Sequence, residues 1–547
     1  MAIGSRVTAA GCALALGLSI SAGAQAPGGQ IRADIVGWLA QERPPLAVTR
    51  LARPNEFLWS LTRRFYAQRD FQAAWHRDGG DTGVRDLLGR LDRAEEQGLD
   101  SADYSVALIR ALATQRGNVD SLALLDVVAT VAFLRYAADL SLGRVAPAAV
   151  DTMWAAADRP VDVVARLVFG LDSGRVDSTL DELAPPQREA VRLRAALALY
   201  RDIAAQGGWV EVTGSEPLAW GATGPRVQLL RRRLEVTGDL APGPSSEVFD
   251  SALEAGVRRA QTRHGLHADG IAGRLTLAAL NVPVAARIRQ LELNLERWRW
   301  APRDLAGRYI SVNSAGFSLD AVDSGRTALT SPIVAGRVDW PTPILSGLLT
   351  EVTFNPRWTI PPSIAVQEIL PEVRRDRGFL YREGIHVSDT AEQAAELDRA
   401  LIPWDSIADS AFACRLWQEP GPRNPLGRVR FGIRNRFGVA LHDTPYPQGF
   451  SLLARALSHG CVRVEAAERL ATFVLGGLAD WSADSVRAAM AQGSERFVTI
   501  PDPIPVVLGY WTAWVGSDGT VEFRPDVYGW DAELDRALKR AARSGRR

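Results

Sequence analysis

Apolar residues recur at helical spacing through the first two fifths of the chain. Val84, Leu87, Leu88 and Leu91 fall at i, i+3, i+4 and i+7, with Gly98 as a stop. Residues 121–142 are apolar nearly all round, yet Asp126, Arg135 and Asp139 interrupt them. That pattern predicts a buried helix, not a membrane span. Pro185-Pro186 marks a joint, after which Val191, Ala195, Leu197 and Ile203 give 187–206 helical spacing. Residues 30–215 therefore read as a helical scaffold domain without a cluster that carries chemistry. His76, beside Trp75, has no second ligand at a suitable spacing and reads as a packed histidine.

A small unit follows at 218–282. Val227, Leu229, Leu230 and Leu234 mark one helix, 248–263 a second, and 276–280 the start of a third. Gly265, Gly270 and Gly273 allow tight turns between the last two, and Thr276 is suited to cap the third. His264 and His267 lack a third ligand nearby, which favours loop packing over a metal site. Residues 284–300 form another helix, with Ile288, Leu291, Leu295 and Trp298 on one face.

The period then changes to two. Ile310 and Val312, then Phe317, Leu319 and Ala321, alternate around a turn at 313–316, which predicts a hairpin. Further strands are expected at 327–334, 348–354, 429–433 and 437–441. A β-rich domain at 305–500 is interrupted at about 362–412 by a helical insertion bounded by Pro361-Pro362 and including 391–400. Its position suits a lid. A helix beginning near Val464 carries Ala467, Leu470, Ala471 and Val474. Residues 501–547 add a strand pair, 506–515 with 521–524, and a closing helix from Ala532. The fold class is multidomain α+β.

A length of 547 residues agrees with several domains. Lys+Arg and Asp+Glu both total 63, which argues for neither a nucleic-acid nor an anionic-membrane partner. Arg6, the apolar run 7–20 and Ala22-Gly23-Ala24 read as an export signal covering 1–24, too short to span a bilayer. The expected location is the periplasm, with no transmembrane helix after the signal is removed. Only Cys414 and Cys461 then remain, too few for a disulfide scaffold. Pairing them would block the more interesting sulfur, so Cys414 is expected as a small core residue.

That sulfur is Cys461. Ser458-His459-Gly460-Cys461 is a compact thiol site, and His442 stands nineteen residues upstream. A nucleophilic thiol needs a base and a set of N–H donors for the oxyanion it creates. His442 can be the first, and the turn at Gly460 can supply the second. A helix starting near Val464 would lower the thiol pKa further. The order His-then-Cys is the reverse of the papain-like proteases. No metal or cofactor is implied.

The run HDTP at His442–Pro445 followed by SHGCVRV at Ser458–Val464 resembles the YkuD-type L,D-transpeptidases. Residues 354–365, 418–427 and 510–514 resemble the large scaffold-bearing, YcbB-like subgroup. Gly265-Leu266, Asp269-Gly270, Gly273, Thr276 and Leu280-Asn281 resemble the small three-helix peptidoglycan-binding domain. The resemblance implies a β-sandwich-like catalytic domain, a capping subdomain and peptidoglycan stem peptides as substrate, with wall-synthesis or remodelling proteins as partners. It implies Cys461 as nucleophile, His442 as general base, and N–H groups of Gly460 and Cys461 as the oxyanion hole. His459 and Arg463 flank the sulfur, Ser458 holds the loop or donates to substrate, and the Asp443 carbonyl orients the base. Arg463 would hold a stem carboxylate. The implied reaction forms 3→3 cross-links through a thioester and releases D-alanine. A hydrolase using the same residues and a non-catalytic wall-binding scaffold are the alternatives. Trp340, Trp358 and Trp417 are expected in core packing before cleft lining.

Overall fold

The computed structural model describes residues 27–544, apart from 46–47, 50–51, 53, 76–81, 116, 156–160, 306, 390–395, 410–411 and 413. The expected leader 1–24 and His76 lie outside the described residues.

The scaffold is organised around the helix Val119–Leu142. By length and composition it could cross a membrane, but 83% of its most apolar stretch is buried inside the protein. Its polar interruptions are cross-links between helices. Asp126 accepts the Tyr66 hydroxyl at 2.7 Å and the Ala74 and Trp75 N–H groups at 2.9 and 2.8 Å. These bonds offset the cost of burying a carboxylate. Asp139 accepts the Tyr104 hydroxyl at 2.9 Å, and burial pushes its carboxyl up to about 6. Helix Thr82–Leu91 ends before Gly98, which closes a separate short turn at Ala94–Gln97. Helix Arg188–Ala205 buries Leu193, Leu197, Tyr200 and Ile203, whereas Val191, expected on the same face, is 48% exposed.

The small unit has helices Pro225–Val236, Ser251–Arg263 and Arg274–Leu280. Thr276 does not cap the third. It lies inside that helix and accepts Gln261 Nε2 at 3.1 Å, tying two helices together. His264 is buried, bonded through Nδ1 to the Ala260 carbonyl and stacked on Phe523 at 6.0 Å. It packs the unit against the C-terminal hairpin. Helix Val284–Trp298 uses Leu291, Leu295 and Trp298 to join a core shared with Leu193, Leu197, Val507 and Trp511.

The strands are β1 Arg308–Asn313, β2 Ser318–Asp323, β3 Arg326–Gly336, β4 Leu345–Phe354, β5 Trp358–Thr359, β6 Ile385–Ser388 and β7 Arg415–Gln418. They continue as β8 Val429–Ile433, β9 Leu441–His442, β10 Ala456–Ser458, β11 Val462–Val464, β12 Arg496–Gly509, β13 Ala513–Val515 and β14 Val521–Phe523. Nine of them form one sheet, β10-β3-β11-β9-β8-β4-β12-β1-β2, and β2 also pairs with β3, so the sheet closes on itself. Ile310, Val312, Leu349, Val352, Val429, Phe431, Leu441, Val462 and Val464 fill the space between its faces. Helix Ala467–Leu475 adds Leu470, Ala471 and Val474 to the same core.

Three expectations need correction. The boundary at 500 cuts β12, which runs parallel to β1 and antiparallel to β4 in the middle of the sheet. Pro501 and Pro503 lie where the β4 pairing shifts register between Thr499 and Ile504, the kind of place that tolerates a residue without an N–H. The strand pair of the tail is accordingly β13 with β14, not 506–515 with 521–524. Finally, the insertion is not purely helical. β5, β6 and β7 form an antiparallel three-stranded sheet that anchors both of its ends. Of the expected helix at 391–400, residues 396–400 form a bridge and a turn, and 391–395 lie outside the described residues.

Candidate active site

Alternation along three adjacent strands separates core from chemistry. Val429, Phe431, Leu441, Val462 and Val464 are wholly buried in the sheet's core. Arg430, His442 and Arg463, one residue out of phase, point to the opposite face. β9 pairs with β11 in parallel, Arg463 opposite His442, and with β8 antiparallel, Arg430 opposite His442. The result is a row, Arg430–His442–Arg463, across three strands. Cys461 precedes β11 by one residue and is two from Arg463, so it shares their face. The Val462 N–H bonds the Ala440 carbonyl at 3.0 Å and fixes this register beside the sulfur.

His442 is 4% exposed. Its Nδ1 is 2.6 Å from the Asp443 carbonyl oxygen, which can only accept, so Nδ1 carries the hydrogen. Nε2 is then the nitrogen with a free lone pair. Burial, opposed by that carbonyl bond and reinforced by the Arg463 and Arg430 charges, brings the ring down to about 4. The Asp443 carboxylate takes no part here: its Oδ2 accepts the Arg428 N–H at 2.8 Å, on the turn before β8.

Cys461 is partly exposed and free, as is Cys414, which packs at the edge of the apolar cluster of the 362–412 insertion, the cap. Burial pushes the Cys461 thiol up, while a backbone hydrogen bond from Ala440 and the Arg430 and Arg463 charges pull it down. The helix expected to begin near Val464 begins at Ala467, and β11 stands between it and the sulfur. A helix N-terminus therefore does not act on this thiol. Burial thus favours the uncharged form of both groups.

The loop carrying the sulfur is braced on all sides. Ser458 Oγ donates to the Cys461 carbonyl and accepts the Gly460 N–H at 3.2 Å. Gly460 has φ 101°, a conformation that favours glycine. Thr342, wholly buried, donates to the Gly460 carbonyl at 2.9 Å and accepts the Gly336 N–H at 2.9 Å. A Cβ on Gly336 would lie 2.2 Å from the Trp340 carbonyl oxygen, so this close approach requires glycine. With the Gly460 N–H engaged by Ser458, the N–H groups of His459 and Cys461 are the amides of this turn that have no partner among the described residues.

Arg463 has a buried Nε without a hydrogen-bond partner, and no carboxylate pairs with it among the described residues. Arg430, by contrast, pairs with Glu351 at 3.0 Å. His459 faces away from this row and toward the cap. Its Nε2 lies 2.5 Å from Glu368 Oε1 and 3.1 Å from Arg337 Nη1, and Trp340 packs edge-on against its ring at 4.6 Å. Burial pushes Glu368 up, but His459 and Arg337 outweigh it and leave the carboxyl below its ordinary value. Trp340 and Trp358 border the cap's apolar cluster, and Trp417 stacks on His386 at 4.1 Å. Packing accounts for all three, with Trp340 also at the site.

The chain matches three domain families. Residues 60–197 match "Scaffold domain", residues 223–280 match "Putative peptidoglycan binding domain", and residues 307–500 match the YkuD "L,D-transpeptidase catalytic domain". A curated Haemophilus influenzae protein described as "Putative L,D-transpeptidase" is 30% identical over 249 residues, 46% of this chain. The match spans about half of that relative's length, 49%. Among solved structures, an L,D-transpeptidase from Xylanimonas cellulosilytica is 17% identical, over 54% of this chain and 99% of that one, with a TM-score of 0.18. L,D-transpeptidase 3 from Mycobacterium tuberculosis is 13% identical, over 37% and 61%, with a TM-score of 0.19. The chain thus carries scaffold, peptidoglycan-binding and YkuD L,D-transpeptidase catalytic domains in that order.

Proposed function

We propose that this chain, a scaffold and a peptidoglycan-binding domain followed by a YkuD L,D-transpeptidase catalytic domain, is a cysteine-dependent acyltransferase that forms 3→3 cross-links between peptidoglycan stem peptides in the periplasm. The observation that carries the reading is the β9–β11 register: it sets Cys461 on the face of a His442 whose free lone pair is at Nε2.

In the first half-reaction, Cys461 Sγ attacks the carbonyl carbon of the third stem residue as its proton moves to His442 Nε2. The oxyanion is met by the Cys461 N–H, with Gly460 holding the turn. The C–N bond then breaks, and the imidazolium gives its proton to the leaving D-alanine nitrogen. In the second half, an amine of another stem attacks the thioester and passes its proton to His442. The sulfur leaves and is reprotonated. Arg463, with no carboxylate partner of its own, holds a stem carboxylate by charge-assisted hydrogen bonds. Ser458 keeps the nucleophile turn in shape.

The test is product analysis from a tetrapeptide donor, with and without an amine acceptor. Cross-linked product that requires both Cys461 and the acceptor is expected. Free tripeptide alone would establish a hydrolase. No turnover, with peptidoglycan binding unchanged in Cys461→Ala, would leave a wall-binding scaffold.

A further inference from the structure

Glu368 and His459 are 91 residues apart in sequence and belong to different parts of the fold. Glu368 lies on the cap, in a π-helical turn at Ala365–Ile369 where the Leu370 N–H reaches back to the Ala365 carbonyl. The cause is one residue further on. Pro371 has no N–H for the Gln367 carbonyl, and its ring would crowd that carbonyl in an ordinary helix, so the turn widens. Ala365, Ile369 and Leu370 are buried in the cap's apolar cluster, while Glu368 stays at its edge. There it meets His459, two residues before the sulfur.

Three side chains, Glu368, His459 and Arg337, share the hydrogen bonds of this cluster. A guanidinium only donates, and an ionised carboxylate only accepts. Arg337 Nη1 reaches Glu368 Oε1 at 3.1 Å, and His459 Nε2 reaches the same oxygen at 2.5 Å. Arg337 also pairs with Asp339 at 2.9 Å, and its guanidinium lies 5.1 Å from the Trp340 ring centre. Arg337 Nη1 also lies 3.1 Å from His459 Nε2, but the 2.5 Å approach of Nε2 to Glu368 Oε1, held ionised by Arg337, is the shorter contact and places a hydrogen on Nε2. In His442, by contrast, the nitrogen that must carry a hydrogen is Nδ1. The other side of the loop is fixed by the Arg337 N–H bonded to the Ser458 carbonyl at 2.8 Å. One short segment, Arg337 to Trp340, therefore touches the nucleophile turn and the cap's carboxylate together.

We propose that Glu368 is a positioning residue for acyl transfer. By docking the cap onto the nucleophile turn, it holds His459 in one orientation and one tautomer, so the turn is set for attack only while the cap is down. The inference rests on reading Cys461 as the acylated nucleophile, but its first readout does not.

That readout is the 15N spectrum of the full-length protein labelled at histidine, with His459 assigned by His459→Gln. Wild type is expected to give the signature of a protonated Nε2, and Glu368→Ala to lose it for averaged tautomers. In parallel, Cys461 acylation by a carbapenem, followed by intact mass, is expected to slow about tenfold or more in Glu368→Ala. Glu368→Gln, which still offers an oxygen to both donors, is expected to keep the tautomer and most of the rate. An unchanged His459 signature in folded Glu368→Ala, or an acylation rate within about twofold of wild type, would overturn the proposal. A wild-type protein that is not acylated at all would instead remove the Cys461 reading, and the tautomer comparison would still stand or fall by itself.

Discussion

The Asp443 carbonyl takes the Nδ1 hydrogen of His442 at 2.6 Å, while the Asp443 carboxylate turns away to the Arg428 N–H at 2.8 Å. Backbone does here what a buried carboxylate does in a Ser-His-Asp triad: it selects the tautomer and aims the ring. It adds no full negative charge. Burial still dominates and holds the ring down to about 4, with the carbonyl bond only partly opposing it.

Removing the Asp443 side chain should accordingly matter little to chemistry. Asp443→Ala keeps the carbonyl and loses only the bond to Arg428, so acylation should stay within about threefold of wild type, with stability lower by roughly 1 kcal/mol. Acylation kinetics and thermal unfolding of the same variant check both numbers. A hundredfold loss of rate would mean that the carboxylate itself serves the base.

Stability should depend on pH through His442. Its pKa falls from 6.5 to about 4 on folding. Between those values the unfolded chain binds more protons than the native one, so stability rises with pH across that window. Wild type should lose roughly 3 kcal/mol between pH 7 and pH 4 that His442→Gln does not lose, at 1.36 kcal/mol per pKa unit. Urea unfolding of both proteins over a pH series measures the difference. A constant gap between them would contradict a buried, neutral ring.

The brace under the nucleophile turn can be cut at Thr342. Thr342→Val keeps the shape but leaves the Gly336 N–H and the Gly460 carbonyl without their partner in a dry site. The expected cost is about 2 kcal/mol or more, read as a lower unfolding midpoint. Acylation should slow as well, because the turn loses its fixed geometry. Unchanged stability would show that water replaces the hydroxyl.

For Arg463, substrate recognition predicts a separation of constants. Arg463→Ala should raise KM for a tetrapeptide donor about tenfold or more while kcat falls less. Equal losses in kcat and kcat/KM would place the guanidinium on the transition state instead.

Cys461 and His442 stood out in the sequence because a lone thiol beside glycine and histidine is chemically loud, and the alternation of β8, β9 and β11 encodes which side chains leave the core. What alternation does not encode is register. Arg430 is one of 62 arginines, and its place opposite His442 follows only from how β8 pairs with β9. The helix expected near Val464 failed for a related reason. Val462–Val464 is three residues long, too short for period two to be told from the start of a helix. The expected boundary at 500 falls inside the central strand β12, where Pro501 and Pro503 sit in a stretch of irregular pairing that period two does not reveal. Glu368 and Arg337 had no sequence signal at all, since they reach His459 across 91 and 122 residues, one from the cap and the other from the end of β3.

The most direct measurement is the peptide map of the full-length protein after exposure to a carbapenem. The account predicts one adduct, on the peptide containing Cys461, absent from Cys461→Ala and slowed about a hundredfold or more in His442→Gln. An adduct on Cys414, or equal labelling with and without His442, would contradict it.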